Sequence, residues 1–141
     1  MSLQVGQQAP SFTLPDTDRN QVSIADFSGK NVVLLFFPMA FTGVCTTELC
    51  NVRDNIALYN NANAQVLGIS VDSPFTLAKF KEEQKLNFPL LSDFNKEVSA
   101  AYGAFYDVFI GWMKGVSKRS AFVIDGAGVV RYAEVLESAG D

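Results

Sequence analysis

The spacing of apolar positions changes several times along this chain, and each change predicts an element. Phe12 and Leu14, then Val22 and Ile24, alternate on either side of the turn-rich PDTDRN, which predicts a short amino-terminal hairpin. Residues 32–37, VVLLFF, form the continuous apolar run of a strand covered on both faces, and Pro38 ends it because proline has no N–H to give a ladder. From Cys45 onward Leu49, Val52 and Ile56 recur at steps of four, three and four, the stripe of a helix with one buried face. QVLGISV (65–71) predicts the next strand. Ser73 then offers a cap and Pro74 a first helical position for a segment that turns Leu77 and Phe80 inward and ends before Asn87. FPLL (88–91) predicts a shorter edge strand, and a helix follows from about Asn95 to Tyr102. SAFVID and VVRYAE flank Gly126-Ala127-Gly128 as a closing hairpin.

Strand, helix, strand, helix and a final hairpin predict an α/β fold with a mixed central sheet flanked by helices. No repeat or low-complexity linker interrupts the pattern, so residues 1–141 read as one domain, long enough to bury a core. Open α/β sheets place their ligands beyond the carboxyl ends of the strands, which puts residues 38–45 at the expected functional rim.

Composition narrows the chemistry. Eleven basic against fifteen acidic residues give a net charge of −4 with no block of like charges, so neither nucleic acid nor an anionic membrane is an expected partner. The opening MSLQVGQQAP lacks the basic start and apolar centre of a secretory signal, and no apolar run approaches the roughly 18 residues of a membrane span. Cytoplasm is the expected compartment. The absence of histidine removes a Cys-His protease, a serine triad and almost any zinc site. Gly126-x-Gly128 lacks the third glycine and the helix of a dinucleotide fingerprint, and no P-loop, EF-hand or haem-attachment pattern occurs, so no cofactor or metal is implied.

Both cysteines fall in one stretch, PMAFTGVCTTELC, residues 38–50. With Thr42 as N-cap, Gly43, Val44 and Cys45 take the first three helical positions, and the third normally carries a side chain that answers free backbone N–H groups. A sulfur there meets unsatisfied donors and the positive end of the helix dipole, both of which favour the thiolate. The same position also suits a small apolar side chain packed into the first turn. Cys50 lies five residues on, which in an intact helix separates the two Cα atoms by about 8 to 9 Å, beyond the roughly 7 Å limit of a disulfide. Either Cys50 is inert, or the first turn unwinds during the reaction. The spacing is not C-x-x-C, which argues against an ordinary dithiol reductant.

Pro38, Thr42 and Cys45 stand in a P-x-x-x-T-x-x-C pattern, and the chain resembles the peroxiredoxins, thiol peroxidases of the alkyl hydroperoxide reductase and thiol-specific antioxidant family with a thioredoxin-like fold. VGQQAPSFTLPD resembles that family's opening, GKNVVLLFFP its central strand and KRSAFVID the strand that supplies its arginine. PMAFTGVC is most similar to the alkyl hydroperoxide reductase E group, whereas Cys50 resembles the helix-borne second cysteine of the bacterioferritin comigratory protein group. The resemblance implies that Cys45 attacks the peroxide and becomes a sulfenic acid, that Thr42 bonds the peroxide, that Arg119 stabilises thiolate and leaving oxygen, and that Pro38 shields the site. It implies that Glu48 orients Arg119 and that Cys50 resolves the sulfenic acid as a disulfide, reduced in turn by a thioredoxin-like protein or a low-molecular-weight thiol. The implied substrates are hydrogen peroxide and small organic hydroperoxides.

Two rival functions are a thiol-disulfide oxidoreductase and a non-enzymatic thioredoxin-fold binding module. Residues 103–119, with Phe105, Phe109, Ile110, Trp112 and Met113, show no clean period. They could line the pocket, admit apolar peroxides, form a dimer face with Phe41, or simply pack as a loop over the core. Family members often pair through the active-site end, which implies a homodimer. The chain departs from the family's pattern in ending at EVLESAGD after the last strand, where relatives continue into a helix that covers the sheet.

Overall fold

The computed structural model of the chain describes residues 3–109 and 113–136, without the side chains of 44, 45, 106–109, 113 and 114. Strands β1 (Thr13–Pro15) and β2 (Gln21–Ser23) form the expected amino-terminal hairpin, with Leu14 opposite Val22. Its turn is held by the Asp16 carboxylate, which accepts from the N–H groups of Asp18 and Asn20, the side-chain mimicry of a backbone turn that makes aspartate common there.

The central sheet has five strands: β3 (Asn31–Phe36), β4 (Ala64–Ser70), β5 (Leu90–Ser92), β8 (Ser120–Ile124) and β9 (Val130–Val135), in the order β5-β4-β3-β8-β9. β3, β4 and β5 run parallel, and β8 and β9 are antiparallel to their neighbours, so the sheet is mixed. Alternation along β3 divides the interior in two. Val32, Leu34 and Phe36 join a cluster with Phe12, Tyr102 and Phe122 on one face, and Leu35 and Phe37 join Leu49, Leu77 and Phe80 on the other. A strand buried on both faces needs the unbroken apolar run that the sequence carries. Each such large side chain contributes roughly 1.5 to 3 kcal/mol through burial.

Gly68, in the middle of β4, has a packing reason: a Cβ there would stand 2.7 Å from Leu90 Cδ2 on the adjacent strand. On the second face lie α1 (Gly43–Asp54), α2 (Ile56–Asn61) and α3 (Pro74–Gln84). α3 is capped as predicted, with the Ser73 side chain accepting from Thr76 N–H, Pro74 in the first turn, and Leu77 and Phe80 fully buried. α4 (Glu97–Ala101) covers the first face and is shorter than its predicted span. The buried Asp93 carboxylate accepts from the N–H groups of Val98 and Ser99 at its start.

Two expectations need correction. The predicted stripe Leu49, Val52, Ile56 crosses a helix break: α1 ends at Asp54 and α2 starts at Ile56. Asn55 Nδ2 donates to the Asn51 carbonyl at 2.8 Å, a local bond that competes with the helical ladder. Leu49 and Val52 are buried, while Ile56 only flanks the core. The segment without a clean period is also not a plain loop, because β6 (Phe105–Phe109) and β7 (Met113–Ser117) pair antiparallel as a separate two-stranded ribbon. In β7 Gly115, Val116 and Ser117 are buried in succession, so no alternation shows there, and Gly115 sits at φ +76°. Ile110 and Trp112, and the side chains of Phe109 and Met113, lie outside the described residues.

Candidate active site

The loop from Phe37 to Thr42 leaves the carboxyl end of β3 and enters α1. Pro38 is buried. Phe41 sits at φ +67° with its ring half exposed and edge-on to Phe80, the centroids 5.1 Å apart. Thr42 is the N-cap of α1, as predicted, in extended backbone with its carbonyl accepting from Thr46 N–H at 2.9 Å. Its hydroxyl does not cap the helix. It donates instead to the Met39 carbonyl at 2.9 Å, so the first-turn amides keep their capacity for another acceptor. Cys45 is the third residue of that turn, and its thiol lies outside the described side chains. An anion at such a position is favoured by the free amides and by the helix dipole together.

Arg119 lies between β7 and β8, just before Ser120, which pairs with Phe36 at the end of β3, and is only 3% exposed. Its Nη1 lies 3.4 Å from Glu48 Oε1, which is one helical turn beyond Cys45. Burial pushes the Glu48 carboxyl above its ordinary range, and the guanidinium beside it acts the other way. A nearly buried cation is therefore brought to the helix turn that carries the cysteine. Among the predicted site residues, Pro38, Thr42, the Cys45 backbone, Glu48 and Arg119 meet at this one rim.

Cys50 does not. It lies in the same unbroken helix, half-buried against the second core cluster, and its Sγ donates to Gln84 Oε1 at 3.4 Å. Two further bonds tie this end of α1 to the end of α3 and beyond: Arg53 Nη1 donates to the Gln84 carbonyl, and Asn87 Nδ2 to the Arg53 carbonyl at 3.2 Å. The unbroken helix sets the Cα atoms of Cys45 and Cys50 apart by the geometry of a five-residue step.

Sequence reasoning missed Gln84, and also Asp72, whose carboxylate accepts from Ala40 N–H at 2.7 Å. Both contacts join residues more than thirty positions apart. The only local signal was Ser70, Asp72 and Ser73, polar residues at and just after the end of an apolar strand at the functional rim. Among the described residues, no group of cysteine and acidic side chains could hold a metal ion, and no helix is long and apolar enough to cross a membrane. A cavity of about 420 Å³ between the amino-terminal hairpin and α4 is lined by none of the predicted site residues.

Comparison with known proteins places this chain in a family. Residues 5–133 match the AhpC/TSA family. Alkyl hydroperoxide reductase E of Mycobacterium tuberculosis is 41% identical over 136 residues, which are 94% of this chain and 86% of that protein. Peroxiredoxin Bcp of Escherichia coli strain K12 is 40% identical over 131 residues, 92% of this chain and 84% of the relative. Among solved structures, peroxidoxin BcpB from Mycobacterium tuberculosis superposes with a TM-score of 0.87 at 33% identity, covering 96% of this chain and 88% of its own. The chain belongs to the AhpC/TSA family, the peroxiredoxins. It is a thiol peroxidase built on a thioredoxin-like fold.

Proposed function

We propose that Cys45 is the peroxidatic nucleophile and that hydrogen peroxide and small organic hydroperoxides are its substrates. Its thiolate attacks one peroxide oxygen, the O–O bond breaks, and the departing oxygen takes a proton and leaves as water or an alcohol. Cys45 becomes a sulfenic acid, the reversible first rung of thiol oxidation. The Thr42 hydroxyl donates its hydrogen bond to the Met39 carbonyl, so its oxygen is left to accept a hydrogen bond from an incoming hydroperoxide. Arg119 carries fixed positive charge toward the oxygen on which negative charge develops, where preorganised charge is worth most. Glu48 orients that guanidinium, and Pro38 keeps bulk water from the sulfenic acid.

The observation that carries this reading is the Glu48–Arg119 pair at 3.4 Å, with Arg119 3% exposed. Burying a cation is costly without a partner. Placing it one turn from a cysteine at a helix start gives that cost a chemical purpose.

Cys50 then resolves the intermediate. Its thiol attacks the Cys45 sulfur, water leaves, and an intramolecular disulfide remains, which a thioredoxin-like dithiol or a small thiol reduces by exchange. The intact helix forbids that bond, so the turn carrying Cys45 must open first. Such a cycle needs a reducing compartment, the cytoplasm. The half-exposed Phe41 at the rim suits the contact of a homodimer.

Intact mass after one equivalent of peroxide tests the scheme. The wild type should lose two hydrogens, Cys50→Ser should gain one oxygen, and Cys45→Ser should be unchanged and inactive. An oxidised Cys45→Ser protein that still turns over would end the assignment of the nucleophile. A wild type that keeps the oxygen would end the resolving role of Cys50. A thiol-disulfide oxidoreductase would show no mass change faster than a free thiol.

A further inference from the structure

The loop that delivers Thr42 and Cys45 holds a backbone that its sequence does not favour. Phe41 occupies the left-handed region, which side chains other than glycine rarely enter, and such a conformation persists only where its surroundings over-determine it. Ala40, the residue before it, donates its N–H to Asp72 Oδ2 at 2.7 Å, the short distance of a charge-assisted bond.

Asp72 is itself fixed. The same carboxylate oxygen accepts from Ser70 Oγ at 2.8 Å, Ser70 Oγ accepts from Asp72 N–H at 3.2 Å, and the Asp72 carbonyl accepts from Ser92 Oγ at 2.6 Å. Ser70 and Ser92 are paired terminal residues of β4 and β5 and are 0% and 1% exposed. A hydroxyl in so apolar a setting is unfavourable unless it is bonded, and these two bond Asp72.

We infer that Asp72 is a positioning residue for the peroxidase reaction: by holding the Ala40 N–H it sets the turn that places the Thr42 hydroxyl and the start of α1 opposite Arg119. It touches no reacting atom, and the inference rests on the reading of Cys45 as nucleophile. The carboxylate anchors the loop from the sheet while the first turn of α1 remains free to open.

The test compares two reagents on the same protein, hydrogen peroxide followed by stopped flow and iodoacetamide followed by alkylation of Cys45. Peroxide needs Thr42, Cys45 and Arg119 in register, whereas iodoacetamide needs only an accessible thiolate. Asp72→Ala should lose on the order of 10 to 100-fold in the peroxide rate, as an ångström-scale misplacement does, while alkylation stays near wild type. Asp72→Asn keeps an oxygen that can accept from both Ala40 and Ser70 and should recover most of the rate. Asp72→Glu keeps the charge but moves it by one methylene and should not. That pair decides the matter if Asp72→Ala fails to fold.

A folded Ala or Glu variant with the wild-type peroxide rate would overturn the inference. So would a parallel fall in both rates, which would leave Asp72 a role in folding alone. A wild type that reacts with peroxide no faster than free cysteine would remove the reaction itself, and that outcome overturns the Cys45 reading together with this one.

Discussion

The two ends of α1 are built differently, and the difference matches the roles proposed for its two cysteines. At the amino end the cap residue turns its hydroxyl away from the helix, Gly43 has open space where a side chain would be, and Thr46 and Thr47 are weak helix formers. At the carboxyl end Leu49 is fully buried, Val52 nearly so, Cys50 and Arg53 donate to Gln84 of α3, and the Arg53 carbonyl accepts from Asn87 in the loop after it. Local opening follows the distribution of buried contacts. In the proposed cycle it would start at the turn that carries Cys45, with Cys50 on the anchored half.

The largest expected effect tests the chemistry of the loose end. Arg119→Ala should lower the rate of Cys45 oxidation by about 10²- to 10³-fold, the usual loss on removing one charge-stabilising group, and stopped-flow fluorescence or competition kinetics would measure it. A change of less than a few-fold would detach the guanidinium from the reaction. Next comes the anchored half. Leu49→Ala should cost about 2 to 5 kcal/mol in urea unfolding, since Leu49 is 0% exposed and the sheet below it cannot follow the missing methyls.

A smaller effect sharpens the contrast. Gly43→Ala meets no atom within 4 Å of its new Cβ and should stabilise the helix start by about 0.4 to 1 kcal/mol. Disulfide formation should slow while the first oxidation step keeps its rate, which rapid quench followed by mass analysis would separate. An unchanged disulfide rate would mean that opening does not begin at this turn.

The last prediction concerns pH and is given as a direction. Burial raises the Glu48 carboxyl above its ordinary value of 4.5, against the opposing effect of Arg119. The folded protein therefore binds that proton more tightly than the unfolded chain, and its stability declines as pH rises from the ordinary value through the raised one. Glu48→Gln should remove this decline, visible as a flatter melting temperature across the mildly acidic range. A wild type whose stability instead rises over that window, with no difference in the variant, would contradict it.

Much of this was legible in sequence because it depends on neighbours. The apolar run of β3, the proline that stops it, the cap at Thr42, the Ser73-Pro74 start of α3 and the hairpin after Asp125 each follow from a few adjacent residues. The meeting of Arg119 with Glu48 was legible only through family resemblance, because no local rule joins positions so far apart. The break at Asn55 was hidden by a stripe that remains in phase across it. The β6–β7 ribbon was hidden because Gly115, Val116 and Ser117 of β7 are buried in succession, which leaves no alternation to read. Asp72 and Gln84 are ordinary polar residues until folding brings the loop or the thiol to them.

The dent that Gly68 leaves in β4 reaches further than packing. β5 has three residues and only three pairings with β4, too few to hold its alignment by ladder bonds alone. The methyl of Leu90 seated in that dent acts as a detent, and sliding the strand by one step would lift it out and turn every side chain to the wrong face. Because Ser92 follows on the same strand and grips the Asp72 carbonyl, one missing side chain deep in the sheet keeps the crown of the molecule in step.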